Sequence, residues 1–201
     1  MGDVRLRRHP THHPLGVALM CWLLGGAASA GVLDVSVWGE AAQRCLAAIE
    51  TGERFDAEGF VLGHGSVDPE TGGLVTGMLT SGDINVFMKR LSTGAGEPIR
   101  VCSVGVSHRL SDTQVRLIDD NAEAWMQQVR DSGRFEDGKT RRKVADGRVV
   151  ALKSTEPNVR GCHMTSLYIA TFDMPAVSIE IKERPGVECG KADKVGGEDK
   201  R

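Results

Sequence analysis

SDTQVRLIDDNAEAWMQQVRDSG, residues 111–133, is the stretch on which the fold reading turns. Ser111 followed three residues later by Gln114 is a capping box, in which the two side chains satisfy N–H groups that a helix start leaves without partners. Val115, Ile118, Ala122, Trp125 and Val129 then recur at helical spacing, while Arg116, Asp119, Asp120, Glu123 and Gln127 fall on the opposite side. The pattern predicts an amphipathic helix over Ser111–Asp131, stopped by Gly133.

Upstream, residues 36–51 repeat the design, with Trp38, Ala41, Ala42, Cys45, Ala48 and Ile49 on the apolar face and Gly52 as the stop. After each helix the chain changes to short alternating or β-branched runs between turn residues, the pattern of antiparallel strands. Strands are expected near 59–64, 74–80, 84–91 and 99–107 after the first helix. After the second they are expected near 140–145, 148–154, 162–172 and 177–183, with Asp146-Gly147 as a two-residue hairpin turn. The fold class is therefore α+β: two helices packed on antiparallel sheet, with a helix and four strands occurring twice. CLAAIETGERF (45–55) also lines up with WMQQVRDSGRF (125–135) at a separation of 80. Two accounts fit this match: duplicated halves spanning 31–108 and 109–190, or two unrelated helices that each end in Gly before an apolar residue.

The first thirty residues hold Arg5, Arg7 and Arg8, then an apolar run from Leu15 to Leu24, then Ala28-Ser29-Ala30. That order is a secretory signal peptide cut after Ala30. A membrane anchor needs about 20 apolar residues, twice what is present. Cys21 follows the bulky Met20, which argues against a lipoprotein, and His9-Pro10 interrupts a twin-arginine reading. The chain is expected in the periplasm or outside the cell, as one domain over residues 31–190 with a disordered tail at 191–201 and no stable membrane insertion after cleavage.

Cleavage leaves 171 of the 201 residues, with 22 basic and 26 acidic side chains. A net charge near −4 is the wrong sign for nucleic acid or an anionic membrane, so no nucleic-acid partner is expected. Cys45, Cys102, Cys162 and Cys189 remain, an even count that reads as two disulfides in an exported protein. If strands 162–172 and 177–183 form a hairpin turning at 173–175, Cys162 faces about position 186, close to Cys189. Cys45 and Cys102 are then the complementary pair.

VRGCHMTS (159–166) places Cys162 beside His163. Neighbours on a strand point to opposite faces, so the two cannot converge on one substrate atom. No Cys-x-x-Cys pair, His-Glu-x-x-His run, nucleophile elbow or phosphate-binding glycine loop is present, and neither a metal nor a cofactor is expected. Two features are candidate binding positions. His64 lies between Gly63 and Gly65, where a ligand or another backbone has room to approach; a strand bulge is the plainer reading. Arg141, Arg142 and Lys143 belong to a basic run read as a solvent-facing or edge strand, or as a docking patch for an anionic envelope component. The expected function is a non-catalytic binding protein for an envelope or extracellular protein or a small ligand. The rival is a hydrolase using dispersed residues, with His64 or His108 as base.

Overall fold

A computed structural model describes residues 34–70, 72–92, 98–106, 110–186 and 189. His108, the expected signal peptide and the expected tail lie outside these. The protein is α+β, and the described residues form two helices and one eight-stranded antiparallel sheet. Helix α1 is Val35–Thr51 and is followed by β1 (Val61–Val67), β2 (Leu74–Ser81), β3 (Ile84–Leu91) and β4 (Ile99–Val106). Helix α2 is Asp112–Asp131 and is followed by β5 (Phe135–Asp137), β6 (Gly147–Ser154), β7 (Met164–Thr171) and β8 (Ala176–Glu183). The strand order is β1-β2-β3-β4-β8-β7-β6-β5, so the last strand of each set lies at the centre. Among the described residues no helix is long and apolar enough to cross a membrane.

Both helices begin with a side-chain cap. The Asp34 carboxylate accepts from the Ser36 N–H at 3.0 Å and from its hydroxyl at 2.5 Å. These bonds hold its pKa below the usual carboxylate value. At α2 the Gln114 N–H donates to Ser111 Oγ at 3.3 Å, and the Ser111 N–H donates to Gln114 Oε1 at 2.9 Å. Trp38, Ala41, Ala42, Cys45 and Ile49 of α1, with Val115, Ile118, Ala122 and Trp125 of α2, join one buried cluster with strand residues such as Val86, Val104, Tyr168 and Ile181.

Register fixes which strand residues face the helices. Met88 pairs with Cys102, Cys102 with Ile181, Ser166 with Ile181, and Leu152 with Ser166. Cys102 is bonded to Cys45 on α1. The face carrying Cys102 is therefore the helix side, and the residues of this row share it. Two residues along each strand, the next row on this face reads Arg90, Arg100, Glu183, Met164 and Ser154. Its direct pairs include Arg90 with Arg100 and Met164 with Glu183.

Three local expectations are corrected. No strand forms over 140–145; the edge position is taken by Phe135–Asp137, whose Phe135 is buried and pairs with Ser154. Lys139–Lys143 has no apolar residue to anchor it to the sheet, so the run is exposed coil rather than a strand with alternating faces. Asp146-Gly147 is consequently not a hairpin turn. Gly147 opens β6, and the Asp146 carbonyl accepts from the Phe172 N–H at 3.0 Å.

Candidate anion-binding pocket

The row Arg90–Arg100–Glu183 ends beneath the C-terminus of α1, where a helix leaves carbonyl groups without internal partners. The loop between β6 and β7 supplies those partners. Asn158 Nδ2 donates to the Ile49 carbonyl at 2.7 Å, and the Val159 N–H donates to the Glu50 carbonyl at 3.3 Å. Asn158 uses its whole amide: Nδ2 also reaches Glu183 Oε1 at 3.0 Å, and Oδ1 accepts from the Arg160 and Cys162 N–H groups, each at 3.0 Å. The loop is thereby fixed to both the helix and the sheet.

Glu183 is fully buried. Its Oε2 accepts from the Arg100 N–H at 2.7 Å and from Arg160 Nη1 at 2.6 Å. A buried carboxylate held by three donors is a satisfied group, and the guanidinium of Arg160 supplies its opposite charge. Arg100 Nη2 in turn bonds the Glu53 carbonyl just past the helix. Arg100 and Arg160 are thus 7% and 9% exposed and held in place, while Arg90 is exposed.

These three arginines line a cavity of about 230 Å³ together with Thr51, Gly52, Pro98 and Val159. Among the described residues, every charged side chain in that lining is an arginine. Gly52 has φ +70°, and a Cβ there would sit 3.1 Å from Val159 Cγ2. Glycine therefore ends the helix and keeps the pocket lip open. Among the described residues Glu183 offsets one of the three guanidinium charges, and the helix C-terminus carries roughly half a negative charge, which leaves this lining net positive. A second cavity of about 330 Å³ shares Thr51 and Val159 with the first and extends over Glu50, Arg134, Ser154 and Met164.

The residues singled out from sequence lie elsewhere. His64 is exposed on β1, beside a bulge at Leu62/His64. Arg141, Arg142 and Lys143 are exposed in the coil before β6. Neither His64 nor the basic run lines the arginine pocket. The disulfides are Cys45–Cys102 and Cys162–Cys189. The β7–β8 register pairs Thr171 with Ala176 and Met164 with Glu183, one residue away from the register that set Cys162 against about position 186. Cys162 is buried in its disulfide and His163 is exposed. Cys162, Glu183 and Cys189 bring their ligand atoms within 4.8 Å of one another, but disulfide sulfurs are not thiolate ligands.

One hydroxyl–imidazole contact does form, with Ser154 Oγ 3.4 Å from His163 Nδ1. Ser154 Oγ also accepts from the Met164 N–H at 2.8 Å, which ties it to the backbone. Among the described residues no carboxylate bonds His163, so the group that would orient a catalytic base is missing from this pair. The chain matches no known protein family, no curated protein and no solved structure.

Proposed function

We propose that this is an exported, disulfide-stabilised, non-catalytic binding protein whose ligand is a small carboxylate or phosphate seated between Arg90, Arg100 and Arg160. The observation that carries the proposal is that, among the described residues, the charged side chains of the pocket lining are all arginines, with Arg100 and Arg160 held before any ligand arrives. Preorganised guanidinium groups lose little freedom on binding, and their forks match the geometry of carboxylate and phosphate oxygens. The two disulfides support the exported reading, since such bonds persist in oxidising compartments.

A ligand that binds only the folded protein raises its melting temperature. The test is a thermal-shift series on mature protein with succinate, citrate, inorganic phosphate and phenyl phosphate at matched ionic strength. A concentration-dependent rise that is lost in Arg90→Gln supports the proposal. No rise with any of the four, or an equal rise in Arg90→Gln, overturns it.

We also infer that the helices and strands form two related halves, 31–108 and 109–190, each a helix packed on four strands. The repeated element order and the central β4–β8 pair favour this. Superposing β1–β4 on β5–β8 is the check, and failure of α1 to fall on α2 contradicts it.

A further inference from the structure

The two edges of the sheet are guarded very differently. At one edge β5 is three residues long and exposes Glu136 and Asp137. The exposed run containing Lys139, Arg141, Arg142 and Lys143 follows it. Short, charged edges of this kind discourage another strand from pairing. At the other edge β1 is seven residues long, and every one of them is exposed. Its sequence VLGHGSV contains no Asp, Glu, Lys, Arg or Pro. Val61, Leu62 and Val67 are large apolar side chains in the open, with Val61 71% exposed. Gly63 and Gly65 add no side chain that would keep a second backbone away.

Beside this edge lies a cavity of about 470 Å³, separate from the arginine pocket. Its apolar wall is Phe60, Leu62, Val67 and Leu79, and its lip carries Asp56 and Glu58. Leu62 pairs with Leu79, and Leu79 is buried in the core cluster, so this wall belongs to the helix side of the sheet. Arg44 reaches Asp56 Oδ2 at 3.7 Å. The Glu58 carboxylate has no ion-pair partner among the described residues. An added strand would send alternate side chains to the helix side and into this cavity.

We propose that β1 is a docking edge for an extended segment of a partner protein, apolar at alternate positions and carrying a Lys or Arg beside Glu58. Main-chain hydrogen bonds to β1 would supply affinity, while the apolar cavity and Glu58 would select the sequence. A second copy of this chain fits less well, because it would bring its own Asp56 and Glu58 to the interface and add like charge.

The probe is fluorescein-labelled Ac-Lys-Val-Thr-Val-Lys-Val-NH2, titrated into mature protein and followed by fluorescence polarisation. The controls are the same peptide N-methylated at alternate amides and its Glu-for-Lys analogue. Saturable binding is expected, weakened about tenfold or more by N-methylation and by Leu62→Lys, and Glu58→Lys should reverse the preference towards the acidic peptide. Leu62 and Glu58 are both exposed, so these variants should fold. Absence of saturable binding, or binding unaffected by Leu62→Lys, overturns the proposal. So does a sedimenting dimer that Val61→Lys dissociates, because the edge would then belong to self-association.

Discussion

Glu183 and Arg160 are bonded at 2.6 Å, with Glu183 fully buried, so their value to the fold depends on both being present. Removing one partner from a buried pair leaves the other charge without compensation, at a cost of about 3–5 kcal/mol. Arg160→Ala should therefore lower the unfolding free energy by roughly that amount. The double variant Arg160→Met/Glu183→Leu should recover a large part of it. Urea unfolding of the three proteins checks this, and a double variant no more stable than Arg160→Ala would contradict it. Glu183 was legible in principle, whereas Arg160, in the loop before β7, was not. Val177, Ile179, Ile181 and Glu183 keep one alternating phase, as do Ile84, Val86, Met88 and Arg90. Of the two charges on these inward phases, Glu183 is buried and Arg90 is exposed. What the sequence does not show is that strands far apart in the chain bring these charges into one row.

Tyr168 gives a second test at the same scale, because it is the chain's sole tyrosine. Its hydroxyl donates to Asp119 Oδ1 at 2.8 Å, and its ring packs edge-on against Trp38 at 6.0 Å. Burial pushes its pKa well above the usual value, and the bond to the Asp119 carboxylate adds to the shift. A raised folded-state pKa means that the native protein keeps its proton after the unfolded chain has lost it. The contribution is complete below about pH 10, the unfolded value, and is lost as pH rises beyond it. Stability should therefore fall above about pH 10, and the tyrosinate absorbance should appear together with loss of the far-UV circular dichroism. Tyrosinate forming near pH 10 in a protein that stays folded would contradict this burial. Tyr168→Phe should remove that component of the alkaline slope.

Among the elements, the β1–β2 pair depends on two facing glycines. Gly65 pairs with Gly77, with φ of +122° and +128° respectively. A Cβ on Gly77 would meet the His64 carbonyl oxygen at 2.2 Å, a backbone atom that cannot swing aside. Gly77→Ala should cost about 1–3 kcal/mol through backbone strain and should raise hydrogen exchange along β1 more than in the central strands. Unchanged exchange at β1 would show that the close pairing is absent. Gly63-His64-Gly65 announces a bulge or a close approach from sequence alone, and both occur here. Both helices are legible to within a residue at each end, since caps and apolar period agree. Strand β5 is not legible, because three residues carry no measurable alternation. Its one anchor, Phe135, reads from sequence only as the residue after a helix stop.

Across the whole molecule, the disulfides constrain the unfolded chain. Loop separations of 57 and 27 residues correspond to about 4 kcal/mol each in the chain-entropy account. Export should leave Gly31 as the first residue, as intact-mass measurement of protein recovered outside the cytoplasm would show. A mass that retains Met1–Ala30 would identify that segment as an anchor. The arginine pocket was not apparent along the chain, because Arg90, Arg100 and Arg160 come from β3, β4 and the loop before β7. The basic cluster that is conspicuous along the chain is Lys139–Lys143. The most direct test records the arginine side-chain Nε–H signals of nitrogen-15-labelled mature protein while succinate or phosphate is added. Saturating shifts confined to Arg90, Arg100 and Arg160 are expected. Shifts at Arg141 and Arg142 with those three unmoved would contradict the pocket and place anion binding on the exposed basic run.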